Sequence, residues 1–126
     1  EYLLTIARAI ADGSLTKQDL LEVESEAALE RLTSYRGIGR WTAEYVMLKA
    51  LRRRDVFPGG DAGLKNAVKA RLGHELTPQE MRTLADSWQG WEAYATLYLW
   101  RTLFSDCSLA AASNWQMCRL RQVFFL

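Results

Sequence analysis

The 126-residue chain is poor in cysteine, proline and histidine, with two, two and one of each. Cys107 and Cys118 are too few for a disulfide scaffold, and their spacing fits neither zinc nor iron–sulfur ligation, so both read as free thiols in a reducing compartment. The scarcity of proline, beside 49% hydrophobic residues, excludes a disordered or collagen-like chain. No apolar run approaches the roughly 20 residues that a membrane-spanning helix needs. The single histidine, His74, stands near an expected helix end and reads as a surface residue, which leaves no Ser/His/Asp array. The length suits one compact body and is too short for two conventional domains. Because the chain opens at Glu1 inside what already reads as helix, with no signal peptide ahead of it, it reads as cut from something longer.

Net charge is also nearly absent, at +1, but the sum conceals an asymmetry. Residues 31–71 hold ten Lys/Arg and three Asp/Glu, net +7, while the remainder is net −6. Such a stretch is either an ordinary solvated helical surface or the electrostatic footprint of a polyanion such as DNA. Charge alone does not separate the two.

What is present is helical periodicity almost throughout, with little alternation of period two, so the fold class expected is all-α. Leu3, Leu4, Ile6, Ala7 and Ile10 mark a first helix that stops at Gly13, and Leu20, Leu21 and Val23 suggest a short second one. Ser25 is expected to cap a third, with Ala28, Leu29 and Leu32 on one face. A fourth is expected from Arg40 to Arg52. Asp61 opens a fifth that ends at Gly73, and the Thr77-Pro78-Gln79-Glu80 capping box opens a sixth from Pro78 to about Ser87. Trp91 to about Phe104 forms an apolar seventh, in which Tyr94, Tyr98 and Trp100, with the preceding Trp88, read as core aromatics. The expected organisation is one helical domain over 1–104 and a tail of unassigned structure over 105–126.

Between the third and fourth helices lies Arg36-Gly37-Ile38-Gly39-Arg40. The two glycines permit positive φ, and Ile38 between them can enter the core. The turn leaves backbone N–H groups exposed at the start of a helix, where the dipole adds to them and a phosphate can bind without regard to base sequence. A Gly-rich helix–helix turn made for packing alone is the plainer alternative.

The run Leu32-Thr33-Ser34-Tyr35-Arg36-Gly37-Ile38-Gly39-Arg40-Trp41-Thr42-Ala43 resembles the helix-hairpin-helix of the DNA glycosylase superfamily. Asp55-Val56-Phe57-Pro58-Gly59-Gly60-Asp61 resembles its Gly/Pro-rich loop, which ends in the catalytic aspartate. Trp41-Thr42-Ala43 and Trp88-Gln89-Gly90-Trp91-Glu92-Ala93-Tyr94-Ala95 are similar to the alkylbase branch, the 3-methyladenine DNA glycosylase II (AlkA-type) enzymes. The resemblance covers nearly the whole chain to about residue 104. It implies a partial helical glycosylase fold, with segments of the family's site lying upstream of Glu1.

The resemblance implies a DNA phosphate gripped by the backbone amides of Gly37, Gly39 and Thr42, with Arg40 beside them. It also implies a sodium or potassium ion held by the carbonyls of Thr33, Tyr35 and Gly37. The sequence carries no phosphate-cradling nucleotide loop and no zinc pattern, so no organic cofactor or catalytic metal is expected. Asp61 is the implied catalytic carboxylate. At a helix N-terminus it is stabilised in its ionised form, which suits it to balance the charge developing on deoxyribose and to orient the attacking water. A plain N-cap is the alternative. Trp41 occupies the position at which bifunctional relatives carry a Schiff-base lysine, so the chemistry implied is monofunctional.

Trp41 and Tyr45, four apart on one helical face, offer an electron-rich surface to an alkylated, cationic purine, a gain of about 0.5–2 kcal/mol. Trp91 matches the family position that stacks on the extruded base. Glu92 departs from the pattern, since relatives often carry arginine there. The function expected is excision of alkylated purines (3-methyladenine, 7-methylguanine type) from double-stranded DNA after base flipping, by an intracellular monomer with no membrane partner. The other readings are a non-catalytic helix-hairpin-helix module binding DNA backbone, and a helical protein-interaction domain.

Overall fold

The computed structural model describes residues 1–105. Cys107, Cys118 and the tail expected over 105–126 fall, but for its first residue, outside them. Seven helices follow in order: α1 (Tyr2–Ala11), α2 (Lys17–Glu22), α3 (Ser25–Thr33), α4 (Arg40–Lys49), α5 (Ala62–Leu72), α6 (Pro78–Asp86) and α7 (Glu92–Ser105). There is no strand among the described residues, and no helix among them is long and apolar enough to cross a membrane.

Local chemistry sets most of the boundaries. Thr16 Oγ1 accepts from the Asp19 amide and so starts α2. Thr77 and Glu80 form the expected reciprocal capping box, Thr77 N donating to Glu80 Oε2 at 2.7 Å and Glu80 N to Thr77 Oγ1 at 3.3 Å. The Thr77 amide, followed by its hydroxyl, holds the Glu80 carboxyl below its usual range. Gly73 ends α5 with a φ of 78°.

Three expectations need correction. Ser25 is the first residue of α3 rather than its cap; Glu24 takes the capping position, and the Ser25 hydroxyl is buried without a partner among the described residues. Helix α4 stops at Lys49, not Arg52. Leu51 N bonds back to Val46 O and Arg53 N to Met47 O, with Arg52 between them at φ 55°, so the left-handed turn that usually employs glycine is made here by an arginine. Tyr94 and Tyr98 are exposed rather than core, because α7 buries Ala93 and Thr96 instead.

Two clusters of buried apolar residues form. The first joins α1–α4 and the following loop through Ala9, Leu20, Ala28, Leu32, Met47 and Val56. The second joins α5–α7 through Leu64, Val68 and Met81, with Phe57, Leu99 and Trp100 partly buried against them. The loop over residues 54–60 crosses from one to the other. Pro58 is fully buried, its carbonyl accepts from the Asp61 amide at 2.8 Å, and Ala93 N donates to Arg54 O at 2.9 Å, tying the start of α7 to the loop. Asp61 is thereby delivered to the seam between the clusters.

Candidate functional site

The turn between α3 and α4 has the form expected of it. Gly37 adopts a φ of 99°, and a Cβ there would stand 2.7 Å from Tyr2 Cγ, so both backbone and space require glycine. Ile38 is partly buried against the first cluster. Gly39 begins α4 with no side-chain cap. The amides of Gly37, Gly39 and Thr42 enter no hydrogen bond among the described residues, which leaves them as open donors at a helix N-terminus. Of the three carbonyls considered for a monovalent cation, that of Tyr35 accepts from Ile38 N at 3.0 Å, and those of Thr33 and Gly37 accept no such bond among the described residues. Since a carbonyl has two lone pairs, each of the three keeps at least one acceptor site, and all are the hard oxygen donors that a sodium or potassium ion takes.

Arg40 extends from the turn with its side chain two-thirds exposed, its Nε donating to Glu44 Oε1 at 2.8 Å. Glu44 is almost fully buried. Burial pushes its carboxyl above the usual range, against the opposing hydrogen bond and charge of Arg40 and the charge of Arg82.

Asp61 caps α5 and collects three N–H donors. Its Oδ1 accepts from the Leu64 amide at 2.7 Å and from Trp100 Nε1 at 2.8 Å. Its Oδ2 accepts from Trp41 Nε1 at 3.0 Å. Trp41 stacks on Tyr45, centroids 5.5 Å apart and planes at 28°, and Tyr45 tilts against Trp100 at 6.0 Å. Burial, and secondarily the charge of Asp61, raise the Tyr45 phenol above its usual range, which keeps it neutral at physiological pH. Trp41, 46% exposed, gives the group an open aromatic face.

The structure thus brings Asp61, Trp41 and Tyr45 together. It places Trp91 elsewhere: just before α7, about 13 Å along that helix from Trp100 at 1.5 Å per residue, tilted against Tyr94 with its face under the Arg54 guanidinium at 5.0 Å. Trp100, expected in the core, packs partly buried against the second cluster and in addition donates its indole N–H to the carboxylate. No local signal marks it, since a tryptophan in an apolar helix looks alike whether its N–H meets solvent or a residue 39 positions away.

Trp41 also borders a cavity of about 670 Å³ between α3, α4, the loop, α6 and the start of α7. Carboxylates from Glu26, Glu44, Asp55, Asp86 and Glu92 outnumber the cations Arg40, Lys65 and Arg82 around it. That balance disfavours an anion there. His74 is exposed near the end of α5, with Nδ1 3.2 Å from Leu72 O.

No protein-family model matches the chain. It is 38% identical over 106 residues to the DNA-3-methyladenine glycosylase of Bacillus subtilis, covering 82% of this chain and 35% of that protein. The crystal structure of a DNA-3-methyladenine glycosidase from Bacillus halodurans superposes with a TM-score of 0.69 at 33% identity, over 79% of this chain and 47% of the other. A 3-methyladenine DNA glycosylase from Schizosaccharomyces pombe, solved in complex with abasic DNA, gives 0.72 at 31% identity, over 90% and 54%. The chain spans about a third of the length of the B. subtilis relative.

Proposed function

We propose that this chain, which belongs to the DNA-3-methyladenine glycosylase family, carries the catalytic carboxylate and backbone grip of a monofunctional glycosylase for alkylated purines in double-stranded DNA. The observation that carries the reading is the Asp61 carboxylate, set at a helix N-terminus beneath an exposed tryptophan and facing three N–H donors. A simple N-cap needs one.

In this reading the hairpin amides of Gly37, Gly39 and Thr42 bind a phosphate of the lesion strand, with Arg40 adding charge. Thr33, Tyr35 and Gly37 would hold a monovalent cation through their carbonyls, which would add positive charge to the hairpin. The flipped base stacks on the Trp41–Tyr45 surface, which favours a cationic purine. Trp91, on its own patch with Tyr94 and Arg54, is proposed as a further stacking surface for the base. As the C1′–N bond breaks, its electron pair leaves with the already cationic base, which departs neutral and needs no general acid. Asp61 stabilises the positive charge left on the sugar and orients the water whose oxygen bonds to C1′, and the proton that this water loses passes to the Asp61 carboxylate and on to solvent. With an indole in place of an amine at position 41, no Schiff base forms and the DNA backbone is not cleaved.

Release of 3-methyladenine and 7-methylguanine from methylated duplex DNA tests this. The chain should release base, and Asp61→Asn should abolish release while DNA binding persists. Binding without release in either protein would instead support the backbone-binding module, and absence of any salt-dependent DNA affinity the protein-interaction domain.

A further inference from the structure

We infer that Trp100 is a positioning residue for Asp61: its indole N–H, with the Leu64 amide, clamps Oδ1 so that Oδ2 is the oxygen turned toward the reacting sugar. The inference rests on the catalytic reading of Asp61 given above. A carboxylate offers about four lone-pair sites across its two oxygens. On Oδ1 the Leu64 amide at 2.7 Å and Trp100 Nε1 at 2.8 Å take two of them, both on the half-buried side. Oδ2 receives Trp41 Nε1 alone, at 3.0 Å on the exposed side. The two oxygens are therefore unequal, one anchored and one presented.

Capping accounts for the Leu64 bond only. An indole brought from α7, 39 residues away, adds nothing to the cap. What it does restrain is rotation of the carboxylate about its terminal torsion, which is broad in the absence of a second contact. The neighbourhood is shaped for this contact. A Cβ on Gly63 would lie 3.1 Å from Asp61 Oδ1 and 3.7 Å from Trp100 Nε1, so the first turn of α5 is bare where the indole enters. Tyr45 flanks the Trp100 ring, and the Lys49 ammonium sits 5.9 Å over its face, fixing the ring plane from two sides.

Trp100→Phe keeps an aromatic ring and removes the N–H, and Trp100→His restores a ring N–H with less bulk. In single-turnover release of 3-methyladenine from methylated duplex DNA, the Phe variant should slow roughly 10- to 100-fold, the equivalent of one charge-assisted hydrogen bond. Its affinity for an abasic duplex should stay within about twofold, and the His variant should recover part of the rate. The Trp100 indole N–H resonance, assigned by its loss in Trp100→Phe, should also move in Asp61→Asn. A Phe variant as fast as the unaltered chain overturns the inference. So does a loss that tracks a lowered melting temperature and is not recovered by His, which marks a packing role. If the unaltered chain binds DNA but releases no base, the catalytic reading itself fails and the positioning role with it.

Discussion

Trp41 donates its indole N–H to Oδ2 of Asp61 at 3.0 Å, across twenty positions of sequence. One residue thus offers its face to Tyr45 and its edge to the carboxylate; under the proposed function, that arrangement would couple stacking of the flipped base to the orientation of Asp61. The two duties separate in Trp41→Phe, which keeps the stack on Tyr45 and loses the bond. Base release should fall about fivefold, the value of one exposed hydrogen bond of roughly 1 kcal/mol, with little change in DNA affinity. Trp41→Ala should lose more, because stacking goes as well. Equal single-turnover rates for Phe and the unaltered chain would show that the edge contact plays no part.

Gly63 provides a second handle on the carboxylate. In the first turn of a helix, replacing glycine by alanine ordinarily gains about 0.5–1 kcal/mol of stability. Here the new Cβ would stand 3.1 Å from an oxygen already fixed by two hydrogen bonds. The expected outcome for Gly63→Ala is a melting temperature close to the original, the helix gain offset by crowding, and base release slowed about tenfold, as for the loss of roughly 1.4 kcal/mol of transition-state stabilisation. A stabilised variant with full activity would show that Asp61 has room to shift.

Much of this site was legible in the residues because it rests on short-range rules. Asp61 as an N-cap, the Gly37 turn and the Thr77 capping box are decided within a few positions, and all appear where expected. The stop of α4 was not, since Arg52 pays for a left-handed turn that its side chain gives no hint of. Nor was the Trp100 contact, which depends on how α7 docks on α5. The exposed Tyr94 and Tyr98 illustrate the same limit: periodicity identified an apolar helix, but the buried side is chosen by small residues, Ala93 and Thr96, that fit closely against neighbours.

Glu44 makes the pH dependence of stability testable. Its carboxyl is raised by burial above the ordinary 4.5, so the folded chain holds that proton more tightly than the unfolded one. Its contribution is fully present below the unfolded value and is lost as pH rises through the folded value. Glu44→Gln keeps the shape and an acceptor for Arg40 but has no proton to lose. Urea unfolding at a series of pH values should therefore show a shallower decline for Gln than for Glu as pH rises above about 4.5. Parallel curves would mean that Arg40 and Arg82 fully compensate the burial.

The basic stretch over residues 31–71 does not act as one surface, and salt dependence can show it. The Arg53 guanidinium turns inward and donates to the carbonyls of Leu20 and Val23, pinning the junction of α2 and α3, whereas Arg40 projects from the hairpin with most of its side chain in solvent. Each phosphate neutralised by a cation steepens the fall of log K with log salt by about 0.9. Arg40→Ala should accordingly weaken DNA binding and reduce that slope by about one. Arg53→Ala should lower stability, because buried carbonyls lose a charged donor, yet leave the slope of the folded protein unchanged. The comparison separates charge that meets DNA from charge that holds the fold, a distinction the net +7 of the stretch conceals.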